Sequence, residues 1–68
     1  MTVTIKSEHI GDHYIDVSQE KFSKAYKVGI YQNAGLYYIA QDERMYGTMK
    51  QANRRYNALL KQVTEGKW

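Results

Sequence analysis

The sequence predicts an α+β fold: a small antiparallel sheet of three to four strands, packed on one face by a single C-terminal amphipathic helix. Two observations carry that reading. Up to about Gln41 apolar residues recur at every second position, and from Thr48 onward they recur at spacings of three and four. The turn sequence Asn33-Ala34-Gly35 then joins two of the alternating runs into a hairpin. With no proline, repeat or low-complexity stretch to mark a boundary, residues 1–68 are expected to be one domain.

The segment TVTIK alternates Val3 and Ile5 with polar neighbours and predicts a strand over about 2–7. Gly11 and Asp12 signal a turn, and Ile15 with Val17 on one side gives a second short strand over about 13–17. SQEK reads as a loop or a single helical turn. A third strand over about 24–32 alternates Tyr26, Val28 and Ile30 with Lys27, Gly29 and Tyr31, and LYYIAQ supplies the return strand over about 36–41. A three-residue loop, Asn33 to Gly35, would set Tyr31 opposite Tyr37, Ile30 opposite Tyr38 and Val28 opposite Ala40. That register expects Tyr38 beneath the helix with Tyr26, Val28, Ile30 and Tyr56, and Tyr31 with Tyr37 on the opposite face. There Gly29, opposite Ile39, would leave a shallow depression. A two-residue loop would slip the pairing by one and exchange the faces.

The helix is expected over about 48–65. Thr48 and Gln51 form a capping box, Met49, Ala52, Tyr56, Leu59, Leu60 and Val63 draw one apolar stripe, and Gly66 supplies a stop. Lys50, Arg54, Asn57 and Lys61 cluster on the other side with Arg55 at the flank, and no acidic residue lies between Thr48 and Thr64.

Composition limits how much core this chain can build. Leu, Ile, Val and Phe together number 13 of 68 residues, so seven tyrosines and Trp68 must supply much of the apolar area. A chain short of aliphatics and rich in amphipathic rings is expected to complete its burial by pairing, as a homodimer or on a partner protein. The zero cysteine count excludes disulfides, thiolate metal sites and a cysteine nucleophile, and fits a reducing compartment. With neither a basic leader nor an apolar span, the expectation is a cytoplasmic protein with no membrane partner.

The net charge of +3 is unevenly placed. Residues 1–45 carry five basic and six acidic groups, and residues 46–68 carry five basic groups against Glu65 alone. The basic stripe can be a solvated face or a surface for phosphate or an acidic partner. Tyr31 and Tyr37, beside Lys27 and Gln41, have three readings: a stacking platform for bases, a protein interface, or plain sheet cover. His9 and His13 lie four apart with Glu8, Asp12 and Asp16 nearby, but Gly11 argues against the helix that would gather them, so no metal site and no cofactor are expected. Asp42 and Glu43, adjacent in what reads as a turn, do not make an acid–base pair, and no enzyme is expected.

YKVGIYQNAGLYYIA leading into TMKQANRRYNALL resembles, in layout, the AP2-type and integrase arm-binding DNA-binding domains, in which a sheet face lies in the major groove. The likeness covers about Lys24 to Val63. It implies DNA contact from the sheet, where this chain offers Lys27 as its only cation between Lys27 and Gln41. The Tyr-, Lys-, Asn- and Ile-leaning composition is also similar to small accessory proteins of phages and plasmids. The expected function is therefore a small non-enzymatic protein that binds nucleic acid through Lys50, Arg54, Arg55 and Lys61, with Lys27, Tyr31 and Tyr37 as further contacts. The alternative is a protein-interaction or inhibitor module that uses the tyrosine-rich sheet face or sets the basic stripe on an acidic partner.

Overall fold

Ile15, Val17, Val28 and Ile30 fall on one face of two neighbouring strands, and the rest of the chain is arranged about them. The computed structural model describes residues 2–68, in which β1 (Thr2–Ile10), β2 (His13–Glu20), β3 (Tyr26–Asn33) and β4 (Tyr38–Tyr46) precede α1 (Met49–Thr64). The strands form one antiparallel meander in the order β1-β2-β3-β4, so every connection joins spatial neighbours. Ile15 pairs with Ile30 and Val17 with Val28, and α1 lays Ala52, Tyr56 and Leu59 over them. All seven residues are at most 4 % exposed, and Ile10, Tyr26, Tyr46, Met49, Leu60 and Val63 pack around their rim. Each fully buried Ile, Val or Leu contributes about 1.5–3 kcal/mol relative to an exposed one, so five such side chains form a small but sufficient core.

Polar contacts fasten α1 at both sheet edges. On β1, the Lys6 ammonium donates to Asn53 and sits 4.4 Å from the Tyr56 ring centroid. On β4, Arg55 Nη2 donates to Asp42 Oδ2 at 2.7 Å. The helix begins as its sequence indicates: the Thr48 hydroxyl accepts from the Gln51 amide at 3.2 Å. It ends with Gly66 at φ +72, where the amides of Gly66 and Lys67 close on the carbonyls of Val63 and Gln62. Among the described residues no helix is long and apolar enough to cross a membrane.

The strands outrun their expected bounds. SQE, read as a loop or helical turn, continues β2 to Glu20, and Asp42 and Glu43, read as a turn, lie inside β4. Charged residues hold strand there because each finds a partner: Asp42 binds Arg55 and Arg44, and Glu43 binds Lys27.

The three-residue hairpin loop is not what forms. Asn33 closes β3 in a pair with Tyr38, the loop runs through 34–37, and the Asn33 side chain accepts from the Gly35 amide at 2.8 Å. Ala40 therefore pairs with Tyr31 instead of Val28, a shift of three residues, and an odd shift exchanges the two faces. Tyr38 consequently stands on the face away from the helix, 47 % exposed, and Leu36 lies in the loop fully exposed. A β-bulge at Gln41 then restores the parity, so that Ile30 pairs with Asp42 and Val28 with Arg44.

These placements order the stabilities of two truncations. Leu59→Ala should cost about 3 kcal/mol in urea denaturation, as large-to-small core changes do, and Tyr38→Ala less than about 1 kcal/mol. The reverse order would put the helix on the wrong face.

Candidate functional site

The face that α1 leaves uncovered gathers side chains from all four strands. Register sets His9, Tyr14 and Tyr31 in one row across β1, β2 and β3, and Ser7, Asp16, Gly29 and Glu43 in the next row across all four. Tyr14 is the hub: its ring centroid lies 4.7 Å from His9, 5.9 Å from Tyr31 and 5.8 Å from Tyr38. His9 Nε2 and the Tyr38 hydroxyl then meet at 3.2 Å, although β1 and β4 are the two edge strands. Three strand spacings hold those edges about 14 Å apart, a gap that the two long side chains span by leaning toward each other over Tyr14. Each of these edge strands carries one extra residue, Ile5 in β1 and Gln41 in β4. The result is an open concavity of about 430 Å³ lined by His9, Tyr14, Asp16, Tyr31 and Tyr38.

Gly29 shapes its floor. The hydroxyl end of the Tyr31 ring occupies the space where any other residue at 29 would carry its Cβ. The expected depression beside Gly29 is thus filled by the chain's own Tyr31, and Gly29 lies opposite Glu43, not Ile39. Folded over Gly29, Tyr31 donates from its hydroxyl to Glu43 Oε2 at 2.9 Å, and the same oxygen takes the Lys27 ammonium at 3.0 Å. Burial first, then the bond to Glu43, pushes the Tyr31 phenol well above its ordinary value, so it stays a neutral donor. Lys27 first, then Tyr31, holds the Glu43 carboxyl below the usual range.

Asp16 has no such partner. Its Oδ1 is buried without a hydrogen bond, and burial raises its carboxyl above the ordinary value, with Lys27 opposing and Glu43 reinforcing the shift. Lys27 is already engaged by Glu43, which leaves Asp16 as the one carboxylate of the concavity without a direct ion pair among the described residues.

The residues expected from sequence fall into different settings. Lys50, Arg54 and Lys61 are exposed on the solvent side of α1. Arg55 is drawn inward to Asp42, its side chain 18 % exposed, and so leaves the stripe. Lys27 and Tyr31 are tied to Glu43, and Tyr37, 64 % exposed, sits in the hairpin loop away from Tyr31, whose strand partner is Ala40. The tyrosine pair expected as a stacking platform is therefore not formed. His9, Tyr14, Asp16 and Tyr38 were not among the expected site residues. The alternation of β2 carried the signal for two of them, since Tyr14 and Asp16 must oppose Ile15 and Val17. Comparison of the chain with protein-family models, curated proteins and solved structures gave no match.

Two substitutions test the geometry. The folded Asp16 takes up its proton at higher pH than the unfolded one, so the wild type is penalised above that titration and recovers as pH falls toward the ordinary carboxylate range. Asp16→Asn should therefore be more stable than wild type at pH 7, by about 1 kcal/mol or less after solvent screening, with the gain shrinking in acid urea melts. Gly29→Ala should swing the far end of Tyr31 off Glu43, visible as altered shifts at both residues, at a cost in stability under about 1 kcal/mol.

Proposed function

We propose that this chain is a small non-enzymatic binding protein that holds nucleic acid by its phosphates through the solvent side of α1. The observation that carries this reading is an unpaired basic stripe. Lys27, Arg44, Arg55 and Lys67 have carboxylate partners, whereas Lys50, Arg54 and Lys61 project from a helix without acidic residues and have none among the described residues. From Lys50 to Lys61 the stripe runs about 16 Å along the axis, long enough to follow several phosphates. Beside Arg54 a concavity of about 340 Å³, bounded by Tyr46, Gln51, Arg55 and Ala58, offers room and an aromatic wall for a sugar or base next to a bound phosphate. The sheet contact implied by the DNA-binding layout has less support, because Asp16 and Glu43 stand on the outer face and Lys27 is neutralised there.

A homodimer is the second reading, favoured by the open edge strands. β1 and β4 are nine residues each and expose Val3, Ile5, Ile39 and Met45, a combination that single domains usually cover. Sedimentation across micromolar concentrations should then show reversible dimerisation, and a strictly monomeric species would remove that reading.

Fluorescence anisotropy with single- and double-stranded DNA and RNA tests the first. Three phosphate contacts on duplex DNA predict a log–log salt slope of about −2.7, and Arg54→Glu should weaken binding about equally across sequences. No binding at low salt to any of these polymers would transfer the stripe to an acidic protein partner.

A further inference from the structure

The outer concavity lies on the face opposite α1 and shares no residue with the helix stripe. His9, Tyr14, Tyr31 and Tyr38 are held mutually: Tyr31 by Glu43, Tyr38 by His9, and Tyr14 between them. Ring faces carry negative potential and attract cations within about 6 Å of their centroids. Lys27 and Glu43 compensate each other at 3.0 Å, so the charge left in the concavity is that of Asp16, and its buried Oδ1 lacks a donor. We propose that this concavity receives the charged head of a lysine or arginine side chain from a protein partner.

Each competing occupant leaves something unsatisfied. An anion would meet the Asp16 carboxylate, and a neutral apolar group would desolvate that carboxylate further without compensating its charge. A metal ion needs several ligands, and among the described residues no group of three His, Asp or Glu side chains is close enough to hold one. An ammonium or guanidinium suits both features of the lining, since it neutralises the Asp16 carboxylate and its charge faces the rings. A side chain suits the site better than a free small molecule because the concavity is open to solvent. It can enclose the head of a ligand while the partner's backbone rests on the neighbouring strands. The fixed rings reduce the ordering cost of that encounter.

The test uses the intact chain and four probes in amide-detected NMR titrations: the capped tripeptides Ac-Ala-Lys-Ala-NH2 and Ac-Ala-Arg-Ala-NH2, the norleucine version, and choline. Lys or Arg peptide should shift the amides of Tyr14, Asp16 and Tyr31 saturably, with the norleucine peptide at least tenfold weaker. Asp16→Asn, which should fold normally by spectral dispersion, and Tyr14→Leu should each weaken the better peptide about tenfold, whereas Arg54→Glu should leave it unchanged. Equal shifts with norleucine, or no loss in Asp16→Asn, would overturn the cationic pocket. Choline saturating below both basic peptides would overturn the protein side chain as occupant, and unsaturated shifts with every probe would overturn the site altogether.

Discussion

One helix has one apolar stripe, and it can cover one face of a four-stranded sheet. The architecture follows from that arithmetic. Ala52, Tyr56 and Leu59 close over Ile15, Val17, Val28 and Ile30, and these seven residues are the whole of the fully buried apolar core among the described residues. The second face has no helix to cover it and must be stabilised from within. It is covered by rings that touch one another and by a Lys27–Glu43–Tyr31 cluster, both compatible with partial exposure.

The uncovered face becomes a site because long side chains from all four strands converge on it. Extra residues at Ile5 and Gln41 sit in the two edge strands, where a bulge can bend the ribbon without breaking a central ladder. His9 and Tyr38 reach across from the two edges to meet beside Tyr14. The Gln41 bulge also does separate work at the helix side, since its side chain joins Gln32 at 2.6 Å and Trp68 at 2.7 Å. One irregularity thus ties the segment after α1 to the sheet.

Charge is divided between the faces by which cations find partners. Arg55 and Lys6 serve the helix–sheet contact, Lys27 the outer face, and Lys50, Arg54 and Lys61 remain toward solvent. The same chain therefore presents unpaired positive charge on its helix and an unpaired carboxylate on its sheet, on opposite sides of a thin core.

Much of this was legible without coordinates. Period 2 giving way to period 3.6 identified the α+β class, Thr48 and Gly66 marked the helix ends, and the stripe from Met49 to Val63 is the one that packs. Val28 and Ile30 likewise lie under the helix as alternation requires, because local periodicity is a property of consecutive residues. What alternation cannot supply is the pairing of one run with the next. The loop 34–37 moved Tyr38 across the sheet and the bulge at Gln41 restored the parity beyond it, and nothing in LYYIAQ distinguishes the registers until cross-strand contacts are summed. The continuation of β2 through SQE and of β4 through Asp42–Glu43 was hidden for the same reason: the former is paired by its neighbouring strands, and the latter is held by distant Lys27 and Arg55. The outer concavity belongs wholly to tertiary structure, since it joins His9, Tyr14, Asp16, Tyr31 and Tyr38 from four strands, and only the register between those strands sets their side chains together.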